Sequence, residues 1–387
     1  MPRAPRICRV VTVPLTFATL LREQVRRVVE AGLDLTLVSS PGPQLDEVAR
    51  ESGARAYGLP MARKVSPLSD AAALRALASF LRRGRFDIVH SSTPKAGLLT
   101  ALAGALARTP VRLHTYTGQP WVELRGPMRW AAMNSDRVVA QLNTHLYCDS
   151  ESQRQFLVSH RIVSSSRIRV LGAGSISGVD TRRFDPDALS HERQRIRQEL
   201  GIGRDAVVIV FVGRVTRDKG VQELIGAFTR LAATRGDLHL LLVGPQEPDL
   251  DPLPPDTQRD ISSHANVHTV GFTDRPERYL AAADLFCLPS YREGFGSVAI
   301  EAGAMRLPSV VTRVTGLIDA VVHEQTGLLV PAKDSDALAQ AMRRLIEDPE
   351  LRRRMGAASR ERAVRSFDAA IVNDLVVAEY RQLLGRA

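Results

Sequence analysis

The feature that most constrains this chain is a pattern that occurs twice, in which short β-branched apolar runs alternate with segments of helical length. In the first series, residues 7–13, 33–39, 86–90, 111–115 and 144–149 read as strands. Residues 17–31, 70–83 and 95–107 carry helical spacing, with Gly32 and Gly84 placed to end the first two helices. The series restarts at residues 207–212, Val-Val-Ile-Val-Phe-Val, an unbroken apolar run suited to a strand buried on both faces. Strand-like runs at 238–243 and 285–289 follow, with helical stretches at 221–234, 275–282 and 297–305. Such alternation predicts an α/β fold: two doubly wound, Rossmann-like halves, each a parallel sheet with helices on both faces. The turn-rich stretch 171–187 reads as the linker, and the expected ligand cleft is the one the halves face, at the carboxyl ends of their strands. A chain of 387 residues suits two such domains.

Charge separates the halves more sharply than composition does. Residues 1–180 hold 24 Lys+Arg against 13 Asp+Glu, a net of +11, whereas residues 181–387 hold 28 against 29, a net of −1. A basic half implies an anionic partner. The chain lacks Cys/His finger spacing, basic-helix heptads and the aromatic signature of RNA binders, so no nucleic acid partner is expected. A peripheral membrane surface and a phosphorylated acceptor fit better, and a merely solvated arginine-rich surface is the plain alternative. Cys8, Cys148 and Cys287 are scattered, which suits a reducing, cytoplasmic setting. The apolar run near the N-terminus is interrupted by Arg9 and Pro14 and reads as a buried strand rather than a signal peptide. No run approaches the roughly 18 apolar residues of a membrane span, so the expected location is cytoplasmic or peripheral on the inner face of the plasma membrane.

Two segments carry chemistry. The first, Gly213-Arg214-Val215-Thr216-Arg217-Asp218-Lys219-Gly220, leaves an apolar strand and enters a helix. Gly213 permits close backbone approach, and Arg214 and Lys219 bring a planar fork and a point charge to a helix N-terminus, a combination suited to a diphosphate. It lacks the order of a Walker P-loop. The second segment is Glu293-Gly294-Phe295-Gly296, with Glu301 eight residues after Glu293. The glycines place Glu293 in a loop, while Glu301 falls in the following helix, so the two carboxylates can meet hydroxyls at different depths. Taken alone, each segment could equally be a charged surface turn. Two Asp-x-Asp triplets, Asp185-Pro186-Asp187 and Asp249-Leu250-Asp251, do not follow strands, so no metal and no other cofactor is expected.

These segments, with Pro289-Ser290-Tyr291-Arg292 before Glu293, then Thr315-Gly316 to Asp319 and Thr326-Gly327, closely resemble glycosyltransferase family 4, of GT-B fold, through most of residues 205–365. The resemblance implies retaining transfer from a nucleotide-diphosphate sugar, a UDP-sugar in the first instance. It also implies a last helix, about 369–384, that crosses back onto the N-terminal domain. The domains are then 1–175 with 369–387, which binds acceptor, and 176–368, which binds donor. By the same resemblance Arg214, Lys219 and Glu293 are the catalytic residues. Arg214 and Lys219 hold the diphosphate beside Gly213, Glu301 the ribose, and Glu293 with the backbone of Gly294, Phe295 and Gly296 the donor sugar. Residues 270–272, including Phe272, lie near the base.

The N-terminal half resembles family members that act on polyprenyl-diphosphate-linked sugars in polysaccharide or glycan assembly. The resembling residues are Arg63 with Ser66-Pro67-Leu68-Ser69-Asp70, His90 through Thr93-Pro94-Lys95-Ala96-Gly97-Leu98, and Gly174-Ser175-Ile176-Ser177-Gly178-Val179-Asp180. Pro94 suits a first helical turn, Ser92 or Thr93 could cap it, and Lys95 adds charge, so an acceptor phosphate is one candidate ligand there and an ordinary capped helix the alternative. In many relatives a His directly precedes Gly in the loop after the strand at 111–115; here Thr117 precedes Gly118. His114 sits earlier and reads first as a buried structural histidine, whereas Thr117 or Gln119 could hydrogen-bond a sugar; Lys95, His114, Thr117 and Gly118 are the acceptor- or sugar-facing candidates. The partners implied are a nucleotide-diphosphate sugar and a polyprenyl-diphosphate-linked or saccharide acceptor. A GT-B nucleotide-sugar epimerase and a non-catalytic nucleotide-sugar-binding scaffold are the rival functions.

Overall fold

The computed structural model describes residues 3–62 and 65–385, and the chain divides into two compact units. One runs to Gly178 and takes in the segment from Ala369; the other is Val179–Asp368. The first unit is built from β1 (Arg6–Val10), α1 (Leu15–Thr19), α2 (Arg22–Glu30), β2 (Asp34–Ser39), α3 (Pro43–Ser52), β3 (Arg55–Gly58) and α4 (Pro67–Gly84). It continues through β4 (Ile88–Ser91), α5 (Pro94–Leu106), β5 (Val111–Tyr116), α6 (Gly126–Leu142), β6 (His145–Cys148), α7 (Glu151–Ser159) and β7 (Ile168–Val170). The second unit holds α8 (Ser190–Glu199), β8 (Val207–Val212), α9 (Val221–Ala232), β9 (Leu238–Val243), α10 (Pro255–Ser263), β10 (Val267–Gly271) and α11 (Pro276–Ala282). After these come β11 (Leu285–Leu288), α12 (Ser297–Ala304), β12 (Ser309–Thr312), α13 (Leu317–Ala320), β13 (Gly327–Val330), α14 (Ser335–Glu347) and α15 (Pro349–Phe367), and the last helix, α16 (Ala369–Leu384), belongs to the first unit.

Both sheets are parallel and doubly wound. The first runs β3-β2-β1-β4-β5-β6-β7 and the second β10-β9-β8-β11-β12-β13. The strand order reverses between β1 and β4 in one unit and between β8 and β11 in the other, and such a reversal opens a crevice at the carboxyl edge where ligands bind. Side-chain alternation shows why β1 is sandwiched: Ile7 and Val11 join the core under α2 and α16, whereas Cys8 and Val10 join the one under α4 and α5. All six residues of β8 are buried. The returning α16 lies on α2 through Asn373 with Gln24 (3.3 Å) and Asp374 with Arg27 (2.5 Å), and Tyr380 reaches His90 Nδ1 at 2.7 Å.

Two local expectations are corrected. The helix expected over residues 17–31 is two helices, because the carbonyl of Leu20 is turned to the Ser177 hydroxyl instead of continuing the helical ladder. The helix α4 includes Gly84, and Arg85 takes the left-handed conformation that ends it (φ 46°). Gly84 is needed for space instead, since a Cβ there would fall 2.3 Å from the Phe86 ring.

Candidate functional site

In the second unit the two flagged segments leave the strands on either side of the switch point. After β8, Gly213 passes close under the next loop: a Cβ on Gly244 would lie 1.8 Å from the Gly213 carbonyl oxygen. The Gly213 and Val215 amides donate to the Val243 and Pro245 carbonyls at 2.9 and 2.8 Å, which draws the loop between β9 and α10 onto the cationic one. Arg214 Nη1 then meets Glu247 Oε2 at 2.8 Å and its Nη2 meets Asp218 Oδ2 at 3.1 Å. Burial works against the Arg214 charge, but Glu247 and Asp218 outweigh it and its pKa is raised. Asp218 is held below the usual carboxylate range: burial opposes its ionisation, and the Thr216 hydroxyl with Arg214, Lys219 and Arg292 overcomes that.

Lys219 closes the arrangement, its Nζ lying 2.5 Å from Glu293 Oε1. The following residue, Gly220, has φ +70° and opens α9; a Cβ there would fall 2.0 Å from the Pro289 carbonyl oxygen. The Tyr291 amide donates to the Asp218 carbonyl at 2.9 Å, and Arg292 Nη2 reaches Asp218 Oδ2 at 3.1 Å. The loops after β8 and β11 are therefore stitched into one surface. Gly296 opens α12 with φ +82°, where a Cβ would lie 2.4 Å from Leu317. Gly294 is approached as closely from Gly316, whose Cβ would fall 2.4 Å from its carbonyl oxygen. The Phe295 side chain is buried in the core, its ring 5.1 Å from Phe367, so this residue offers the loop its backbone alone.

Glu301 stands one helical turn into α12, half-buried, and among the described residues no donor hydrogen-bonds its carboxylate. Burial pushes its pKa up to about 7, with Arg183 pulling the other way and Glu277 adding to the rise. It is thus a strong acceptor poised without a donor. Phe272, on the loop after β10, is 57% exposed and can offer a ring face.

Sequence reasoning missed Asp218, Glu247 and Arg292 as members of this cluster. Asp218 lay inside the motif as a spacer, and Glu247 lies outside both motif segments, between Pro245 and Pro248. The Asp-x-Asp residues have other work: Asp251 accepts the Asp218 amide at 2.7 Å, and Asp187 pairs with Arg306 at 2.6 and 2.8 Å.

The first unit shows a milder arrangement at its own switch point. Thr93 does not cap α5; its hydroxyl accepts the Thr12 amide at 3.0 Å and meets the Thr12 hydroxyl at 2.7 Å, tying the loops after β1 and β4. Lys95 Nζ binds both Asp70 oxygens, at 2.8 and 3.1 Å, so its charge is shared with the start of α4. Arg63 lies outside the described residues. His114 is buried with its Nδ1 2.9 Å from the Ser91 hydroxyl, and a Cβ on Gly97 would fall 2.5 Å from its ring. Burial and then Arg9 lower its pKa to about 3, so it stays neutral. Thr117 donates to the Ser92 carbonyl at 2.8 Å, and Gly118 turns with φ +121°. Beneath them, His90 Nε2 meets the Thr115 hydroxyl at 2.8 Å.

Comparison with known proteins matches both units. Residues 192–362 match the model of the glycosyl transferases group 1, and residues 17–174 that of a glycosyl transferase 4-like domain. The capsular polysaccharide biosynthesis glycosyltransferase CapM of Staphylococcus aureus is 29% identical, over 94% of each chain. A second relative is the UDP-Gal:alpha-D-GlcNAc-diphosphoundecaprenol alpha-1,3-galactosyltransferase of Escherichia coli, 26% identical over 82% of this chain and 81% of its own. Among solved structures, Anabaena Alr3699/HepE in complex with UDP and glucose superposes with a TM-score of 0.80, covering 98% of this chain and 100% of that one at 18% identity.

Proposed function

Because this chain belongs to glycosyltransferase family 4, enzymes of the GT-B fold, we propose that it is a retaining transferase that moves a sugar from a UDP-sugar to a lipid-linked or saccharide acceptor in cell-surface polysaccharide assembly. The observation that carries this reading is the placement of Arg214, Lys219 and Glu293 on the two loops flanking the switch point, with Glu301 lacking a donor behind them. In the proposed mechanism Arg214 and Lys219 take the two phosphates, Glu301 accepts from the ribose hydroxyls, and Glu293 turns to the donor sugar. The bond from the anomeric carbon to the phosphate oxygen breaks with its electron pair going to the diphosphate. The acceptor hydroxyl oxygen bonds to the anomeric carbon from the same face and yields its proton to a phosphate oxygen. Charge growing on the leaving diphosphate is met by the two cations, the kind of preorganised electrostatic contribution that dominates such sites.

The names of CapM and of the galactosyltransferase support the polysaccharide setting and the lipid-diphosphate acceptor, and the UDP complex of HepE supports the nucleotide. The test is a transfer screen of UDP-, GDP- and dTDP-sugars with a polyprenyl-diphosphate-linked sugar, with the anomeric configuration of the product read by NMR. Formation of an α-linked product from an α-linked donor supports the reading. Conversion of the donor sugar with acceptor omitted would make the protein an epimerase, and nucleotide binding without product from any donor would make it a scaffold.

A further inference from the structure

The first unit holds an apolar projection that the sugar-transfer reading does not use. Between β5 and the body of α6, residues 122–131 are exposed throughout except for the partly covered Leu124. Met128 is 66% exposed and Trp130 69%, within the first two turns of α6, with Arg125 and Arg129 beside them. The projection is held firmly from behind. Trp121, 1% exposed, stacks on Phe156 with centroids 5.2 Å apart and donates from Nε1 to Asp136 Oδ2 at 2.7 Å, and α6 itself is anchored by its buried Asp136, Val139 and Ala140. A large aromatic and a methionine fixed in solvent by a buried anchor are unfavourable unless something covers them.

We propose that this segment docks on an anionic lipid bilayer, with Trp130 and Met128 seated at headgroup depth and Arg125 and Arg129 on the lipid phosphates. Tryptophan with flanking arginine suits the membrane interface, which accepts both an apolar body and a polar edge. Charge favours this partner over a second copy of the chain. Glu123 is the one acid within residues 122–131, and residues 1–180 carry a net +11, so like surfaces repel while a negative bilayer attracts. The contact is peripheral in kind, since among the described residues no helix is long and apolar enough to cross a membrane. The segment also follows β5 at the edge of the sheet that bears Thr117, so, on the proposed function, docking brings a lipid-linked acceptor to that edge.

The experiment uses the full chain without donor or acceptor, so it can succeed or fail independently of the transfer reading. Co-sedimentation with phosphatidylglycerol–phosphatidylcholine vesicles should exceed that with phosphatidylcholine alone. Tryptophan emission should shift to the blue, reporting Trp130 because Trp121 is already buried. A Trp130→Ala, Met128→Ser variant should lose about tenfold or more in vesicle partitioning with its melting curve unchanged. Arg125→Glu should lose about fivefold, and added salt should erase that difference. Equal partitioning of wild type and the double variant overturns the proposal. So does lipid-free sedimentation velocity showing self-association that the double variant abolishes while vesicle binding persists, because the patch is then an interface between copies.

Discussion

Lys219 Nζ and Glu293 Oε1 lie 2.5 Å apart, although one residue follows β8 and the other follows β11 across the reversal of strand order. The pair locks together the two loops to which the donor role is assigned. It also makes Glu293 a competitor for the cation that a diphosphate would use.

Removing either member should therefore have opposite effects on nucleotide affinity. On the proposed mechanism, Lys219→Ala removes a charge set against the leaving diphosphate and should lower kcat/KM by about a hundredfold or more. Glu293→Gln frees Lys219, so binding of the nucleoside diphosphate alone should hold or strengthen by up to about fivefold, while sugar transfer falls sharply. Calorimetric titration with the diphosphate, set beside transfer rates, separates the two. A comparable loss of diphosphate affinity in Glu293→Gln would show that the pair is structural.

The ribose-binding role proposed for Glu301 carries a pH dependence with a definite sign. Its folded pKa, raised to about 7 by burial, stands above the ordinary glutamate value, so its contribution to stability is fully present below that ordinary value and is lost as pH rises through about 7. Ribose hydroxyls are donors and favour the ionised carboxylate. Nucleoside affinity should accordingly rise with pH through the same window, and the thermal shift on adding nucleotide should grow with it. Glu301→Gln should weaken binding by about tenfold on the alkaline side and flatten the profile. A wild-type affinity that does not change across neutral pH contradicts this role.

The sequence showed these features unevenly, for physical reasons. The run 207–212 reads as a strand because all six side chains are buried, and a strand covered on both faces needs an unbroken apolar run. The edge strand β3, Arg55–Gly58, is mostly exposed and gave no such signal. Arg214 and Lys219 stand out because glycines and a strand exit surround them. Their carboxylate partners do not, because Glu247 is 33 residues from Arg214 and Glu293 is 74 from Lys219, and each contact exists through loops of separate strands. Phe295 sits inside a motif expected to face a ligand, yet its side chain serves the core, which spacing alone does not reveal.

The stitching of the loops should depend on Gly220 more than on any side chain of the motif. With φ +70° and 2.0 Å between its would-be Cβ and the Pro289 carbonyl oxygen, Gly220→Ala must strain the turn and push the β11 loop away. The expected cost is about 2–4 kcal/mol, read as a lower urea midpoint, together with weaker diphosphate binding. Gly32→Ala is the control: its φ is +80° but nothing lies within 4 Å of the added carbon, so about 1 kcal/mol and no change in binding are expected. Equal costs for the two would mean that backbone strain alone is at work.

Arg9, one residue before the end of β1, should respond to replacement in the direction opposite to most buried residues. It is 3% exposed, and among the described residues none of its three guanidinium nitrogens has a hydrogen-bond partner. Burial lowers its pKa. Asp149 is equally hidden: burial pushes it up to about 8 and Arg9 pulls it down. An unpaired buried charge costs more than it returns, so Arg9→Met, similar in length and uncharged, should raise stability by about 1–3 kcal/mol near neutral pH. Without Arg9, Asp149 should become harder still to ionise. Because its folded pKa is already raised, the stability of the variant should be greatest in acid and fall as pH rises through and beyond about 8. Urea melts of both proteins at several pH values test this. Destabilisation by several kcal/mol at neutral pH would show that Arg9 is fully paired in solution and that its charge holds the sheet together.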